Sequence, residues 1–144
     1  MSLDLKGANE TQFKGVIKGV EAMSRAESLG DRAKKFIEAM DEKYYPDGLK
    51  KYIKANPDDA EDKIEEYKQS VLDNVGLVFT VEVDGVTFPE WINLPGRRGY
   101  NKSHLKTIVD KNSLPLVRLP EEAVSWCGLE LWCELDGNYY RISK

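Results

Sequence analysis

The chain has 144 residues, of which 41% are hydrophobic and 32% charged, and its net charge is −4. A chain of this length forms a single domain and buries a core without needing disulfides or metals. The negative charge argues against a general nucleic-acid coat protein, which is basic overall, although a local basic patch remains compatible with it.

Residues 1–74 have the apolar spacing of helices. Apolar residues from Phe13 to Met23 recur every three or four positions, which predicts a first helix from Asn9 to Gly30. Three more helical segments follow, and the last begins at Pro57 and runs to about Asp73.

The outer face of this last helix is acidic. Its carboxylates are Asp58, Glu61, Asp62, Glu65 and Glu66. They suit a solvated face near a helix N-terminus, where acids interact favourably with the helix dipole. The alternative interpretation is a negative patch that binds a basic partner protein or imitates DNA.

Residues 75–144 alternate as strands do. Every second residue from Leu77 to Val83 is apolar, and Asp84-Gly85 then gives a two-residue hairpin signal that pairs Val83 with Val86.

A second Asp-Gly sequence, at residues 136 and 137, predicts another hairpin. If its turn has two residues, Cys133 faces Tyr140 and Leu131 faces Ile142.

Between the hairpins, Asn101 or Ser103 caps a short helix, and the proline-bounded segment 113–120 predicts a short edge strand. The predicted fold is therefore α+β, with a bundle of three or four helices in residues 1–74. This bundle packs, in one compact unit, on a small antiparallel sheet or partly open OB- or SH3-like barrel. The sheet occupies residues 75–144 in the order ββαβββ.

The two cysteines, Cys127 and Cys133, lie on one predicted strand about 20 Å apart at ~3.3 Å per residue, which is too far for a disulfide. We expect both to be core hydrophobes in a reducing compartment. The chain has a single histidine and no run of 18 apolar residues. These features predict a cytoplasmic protein, in the host cell if it is viral, with no membrane association, no metal and no other cofactor.

The corner from Gly96 to Lys111 is the first candidate binding site. A basic loop bracketed by glycines precedes a helix N-terminus, where free N–H groups, the helix dipole and guanidinium groups favour phosphate or carboxylate. The candidate ligands are Arg97, Arg98, Tyr100, Lys102, Ser103 and Lys106. The alternative interpretation is a solvated surface loop. The loop is not a Walker motif, so nucleotide hydrolysis is not expected.

The outer face of the last hairpin is the second candidate site. Trp132, Tyr139 and Arg141 share this face, and aromatic rings with an arginine suit the stacking of nucleic-acid bases. The alternative is that the N-terminal helices cover the face, with Arg141 stacked on Trp132 as a cation–π pair.

The sequence offers little support for catalysis. Neither cysteine has a basic neighbour, no isolated carboxylate pair lies on an apolar strand, and the adjacent Ser103 and His104 point to different helix faces. We therefore predict that the protein is not an enzyme.

The second half of the chain resembles small phage-type proteins of replication modules. The resemblance lies in the order Thr80-Val-Glu-Val-Asp-Gly85, Trp91-Ile-Asn-Leu94, Lys102-Ser-His-Leu105, Gly128-Leu-Glu-Leu-Trp132 and Tyr139-Tyr-Arg-Ile142. It implies a relationship to OB-fold proteins that bind single-stranded DNA. An OB barrel has three strands before its helix, whereas the sequence predicts two here.

Two functional hypotheses follow. In the first, the protein is a non-enzymatic nucleic-acid-binding or replication accessory protein, phage-encoded if the resemblance holds, whose partner is single-stranded nucleic acid. In the second, it is a protein-interaction or inhibitor module that meets a host protein through the acidic helix or an aromatic patch.

Overall fold

The structure is a computed structural model that describes residues 12–95 and 99–143. The chain divides into two units: the first combines the residues up to Met23 with those from Val75 onward, and the second is Ser24–Asn74. The predicted helix start at Asn9 lies outside the described residues.

The first unit contains five strands and one α-helix within the described residues. These are β1 (Gln12–Ser24), β2 (Val75–Val83), β3 (Val86–Asn93), α5 (His104–Lys111), β4 (Glu130–Asp136) and β5 (Tyr139–Ile142). The strands form one sheet in the order β3-β2-β1-β4-β5. The registers of β1 with β4, β2 with β3, and β4 with β5 are antiparallel.

The two edge strands of this sheet approach each other. The Ile142 N–H on β5 donates to the Glu90 carboxylate on β3 at 2.7 Å, and the rings of Phe88 and Tyr140 stack with centroids 6.3 Å apart. The sheet is therefore nearly closed and barrel-like. Its strand order, with α5 between β3 and β4, is consistent with an OB-like barrel.

Strand β1 replaces most of the first predicted helix, so that prediction was wrong. Its spacing fits a helix, but it fits an alternating strand equally well: Gly15 and Ile17 are buried, while Lys14 and Lys18 are exposed. The Ile17 N–H donates to Leu129 at 2.9 Å, so pairing next to β4 satisfies its backbone. Glycines and β-branched residues also favour a strand over a helix here.

The first hairpin has the predicted register. Val83 pairs with Val86, and the turn residues Asp84 and Gly85 both have positive φ, at 50° and 80°. Such turns match the natural twist of paired strands.

The second hairpin is shifted from its predicted register. Its turn is Gly137-Asn138 rather than Asp136-Gly137, because Asp136 pairs with Tyr139. Cys133 therefore faces Ile142 instead of Tyr140. Gly137 has a φ of 64° at the first turn position, where type II′ turns place glycine. The shift is two residues, so every side chain keeps its predicted face.

The prediction of a third strand after the helix was also wrong. Within the described residues, segment 113–120 forms no strand, and β1 supplies the fifth strand instead. A 3₁₀ turn at Ala123–Trp126 follows this segment and buries both of its end residues.

The core of the first unit lies inside the barrel and under α5. Its buried side chains are Ile17, Leu77, Phe79, Val81, Val83, Ile92, Leu105, Ile108, Val109, Leu114, Ala123, Trp126, Leu131, Cys133 and Ile142.

The second unit is helical and joins β1 to β2. Its helices are α1 (Arg25–Leu29), α2 (Ala33–Ala39), α3 (Asp47–Ala55) and α4 (Ala60–Asp73). Ser24 and Glu27 form a capping box at the start of α1. The packing of a helical bundle on the sheet stays a prediction.

Candidate nucleic-acid interface

The predicted basic corner is only partly visible, because Gly96, Arg97 and Arg98 lie outside the described residues. Of the two predicted caps for α5, the structure uses Ser103. Its hydroxyl accepts the Lys106 N–H at 3.1 Å and donates to the Tyr100 carbonyl at 2.7 Å. Ser103 is therefore engaged in capping the helix.

The other corner residues have different surroundings. The Lys106 ammonium pairs with Asp110 one turn along α5, and this hydrogen bond raises the pKa of Lys106. Tyr100 is half-buried and packs against the core, whereas Lys102 is exposed. Among the described corner residues, Lys102 is thus the cation best placed to meet a phosphate.

Tyr139 is the most exposed of the predicted stacking residues. It follows the turn between β4 and β5, and 79% of its surface is accessible. Two exposed apolar residues belong to the same hairpin tips: Leu135 on β4, and Val86 at the start of β3. Sequence reasoning missed both, although their positions next to glycine turns could have indicated exposure.

Trp132 is half-buried, and the cation over its ring is Lys14 rather than the predicted Arg141. The Lys14 ammonium lies 4.3 Å from the ring centroid, because Lys14 and Trp132 are direct partners across β1 and β4. Lys14 was missed because it fell in a segment predicted to be helical.

Arg141 interacts with carboxylates. Its Nε lies 3.2 Å from Glu134 Oε1, and its Nη1 lies 3.4 Å from Asp136 Oδ2. Glu134 is the direct cross-strand partner of Arg141, so this arrangement follows from the observed register. A phosphate would have to compete with both acids for this guanidinium.

The predicted acidic residues of the helical unit are all exposed. They are Asp58, Glu61, Asp62, Glu65 and Glu66. Asp58 precedes α4 in a 3₁₀ turn, and the other four lie on α4. Glu66 pairs with Lys63 at 3.2 Å.

Both cysteines are free thiols, as the sequence predicts, but their environments differ. Cys133 is buried in the barrel, whereas Cys127 is half-buried. Burial, followed by the negative charge of Glu90, raises the pKa of the Cys133 thiol to about 12. A thiol with so high a pKa is a poor nucleophile at neutral pH.

This raised pKa predicts a loss of stability in alkali. The neutral Cys133 thiol stabilises the fold fully below the pKa of an unfolded cysteine, about 8.5. That contribution is lost as the pH rises towards about 12. Urea unfolding across this range should show a steeper fall in the free energy of unfolding for the wild type than for Cys133→Ala. Equal slopes would contradict the assigned burial.

Within residues 12–95 and 99–143, no cluster of three or more His, Cys, Asp or Glu side chains is arranged to hold a metal ion. None of the described helices is long and apolar enough to cross a membrane. Comparison of the chain with protein-family models, with curated proteins and with solved structures finds no match.

Proposed function

We propose that this protein is a non-enzymatic nucleic-acid-binding or replication accessory protein that binds single strands on its barrel. The observation that carries the proposal is the exposed Tyr139 at the β4–β5 turn of a sheet with the strand order β3-β2-β1-β4-β5. OB barrels bind oligonucleotides on the face of strands 2 and 3 and with the loops after strands 1 and 4. The resemblance of residues 75–144 to phage replication-module proteins points the same way.

Base stacking supplies the main attraction in this proposal. Tyr139 offers an open ring, and the neighbouring hairpin residues Leu135 and Val86 extend the apolar surface. Trp132 offers a second ring, with the Lys14 ammonium close enough to contact the backbone of a bound strand. Stacking of this kind accepts any base, so the expected binding is tolerant of sequence.

Phosphate contacts are expected to be few. Lys102 is exposed, whereas Lys106 and Arg141 are paired with acids. Arg97 and Arg98 complete the proposed phosphate site from the sequence. A small number of phosphate contacts predicts a shallow dependence of affinity on salt concentration.

Replacement of Tyr139 by alanine tests the stacking role. Loss of one base–aromatic stack should weaken binding of a fluorescein-labelled oligothymidylate about tenfold, measured by anisotropy at low salt. Val124→Ala removes another exposed apolar side chain, 61% accessible, and should leave the affinity unchanged.

A second variant tests the phosphate contacts separately. Arg97→Ala/Arg98→Ala should lower the affinity and flatten its salt dependence by up to about two phosphate contacts. Absence of any binding of the wild type at low salt would refute the proposed function. Binding that Tyr139→Ala leaves intact would remove the β4–β5 turn from the interface.

The second candidate function is a protein-interaction or inhibitor module. It is favoured by the exposure of the carboxylates along α4 and in the turn before it. Reversing the charges of Glu61, Glu65 and Glu66 should then abolish recovery of a stoichiometric partner from host lysate. Retention of the same partner by that variant would show a solvated helix face.

A further inference from the structure

The helical unit buries very little of its apolar surface. Tyr45 is the one buried side chain in Ser24–Asn74, a segment that the structure describes completely. Helices of this length gain most of their stability from packing an apolar face rather than from intrinsic propensity. Apolar side chains left half-exposed are therefore available to a partner.

Several of these side chains line one groove. The groove has a volume of about 400 Å³ and is lined by Phe36, Ala39, Met40, Tyr44, Tyr67 and Val71. Tyr67 and Val71 lie four residues apart on α4 and so share a helix face. Aromatic rings together with a flexible methionine are typical of grooves that accept the apolar side of an amphipathic helix.

Cations lie beside two of the lining rings. The Arg25 guanidinium carbon is 5.1 Å from the centroid of Phe36, and the Lys43 ammonium is 5.0 Å from that of Tyr44. Burial and the positive charge of Arg32 lower the pKa of Arg25, so positive charge accumulates here at an energetic cost. An anionic group bound nearby would reduce that cost.

The acidic surface of α4 is distinct from the groove. Glu65 is two residues from Tyr67, so the two side chains point to nearly opposite sides of the helix. The charges beside the lining rings are thus positive, although the helical unit is rich in acids.

From the groove and its neighbouring cations we infer that this groove is a docking site for a short, acidic, amphipathic helical segment of a partner protein. The apolar side of the segment would lie against Phe36, Met40 and Tyr67, and its carboxylates would face Arg25 and Lys43. This interaction is separate from nucleic-acid binding on the barrel.

The test uses the full-length protein and two sets of labelled peptides, each of about 14 residues or about four helical turns. Both sets carry leucine or phenylalanine at i, i+3, i+4 and i+7. The remaining positions are glutamate in one set and lysine in the other. We expect saturable binding of glutamate peptides, at least about tenfold tighter than that of lysine peptides, because the latter place like charges beside Arg25 and Lys43.

Two variants locate the binding with little risk to folding, since both residues are exposed. Lys43→Gln and Tyr44→Ala should each weaken the glutamate peptides several-fold, whereas Lys51→Gln, an exposed lysine of α3, should not. Equal or tighter binding of the lysine peptides, no saturable binding by either set, or insensitivity to both variants would overturn the proposal. Binding of decanoate without binding of the glutamate peptides would identify a small-amphiphile site and overturn it as well.

Discussion

Replacing Gly15 with alanine should destabilise the barrel by about 2–3 kcal/mol, the range expected for overpacking a filled core. A Cβ atom at this position would lie 2.6 Å from Val81 Cγ1, 2.8 Å from Cys133 Sγ and 2.9 Å from Val83 Cγ2. All three neighbours are buried, so β1 or the facing strands must move. Urea unfolding followed by tryptophan fluorescence measures the loss.

Gly19 provides the matched control on the same strand. A Cβ atom there would be 3.8 Å from Thr80, which is ordinary contact, so Gly19→Ala should change stability by no more than about 0.5 kcal/mol. The double variant Gly15→Ala/Val81→Ala should recover part of the loss, because it removes the nearest clashing atom. Equal effects of the two glycine substitutions would contradict the placement of β1 in the barrel.

The same strand shows why the sequence predicted the fold class but not the whole architecture. Val16, Ile17, Val20 and Met23 match a helical period, and Phe13, Gly15 and Ile17 match a strand period. The choice is made by pairing: β1 lies between β2 and β4, which are more than fifty residues away in sequence. No local pattern contains that information, because tertiary pairing overrides a weak local preference.

Local signals succeeded where the structure is local. Asp84-Gly85 determined the first hairpin register because both turn positions need positive φ. In the second hairpin, Asp136-Gly137 and Gly137-Asn138 are both acceptable turns, and the pairing of Asp136 with Tyr139 selects the latter. The two-residue shift preserves side-chain faces, which is why the exposed face with Tyr139 was predicted correctly.

The neighbours of the candidate site were less predictable. Lys14 lies over Trp132 because β1 pairs with β4 across more than one hundred residues. Arg141 contacts Glu134 through the shifted register. Both contacts depend on strand pairing, so the sequence indicated which residue types were available but not which of them interact.

The connection between α5 and β4 gives the other prediction with a large effect. Trp126 is buried, its ring stacks on Phe79 with centroids 6.0 Å apart, and its Nε1–H donates to the Pro115 carbonyl at 2.9 Å. This residue therefore joins the proline-bounded segment to the core. Trp126→Ala should cost about 3–5 kcal/mol, the usual loss for deleting a buried tryptophan.

Trp126→Phe separates the two contributions of that side chain. Phenylalanine retains a ring against Phe79 but loses the hydrogen bond to Pro115, so the expected cost is about 1 kcal/mol or somewhat more. Urea unfolding should be followed by far-ultraviolet circular dichroism, because both variants lack the indole. Trypsin should also cleave Trp126→Phe faster after Arg118, which lies in the segment that the hydrogen bond holds. If the alanine variant were as stable as the phenylalanine variant, this tryptophan would not belong to the core, and the segment would have to be held by Leu114 instead.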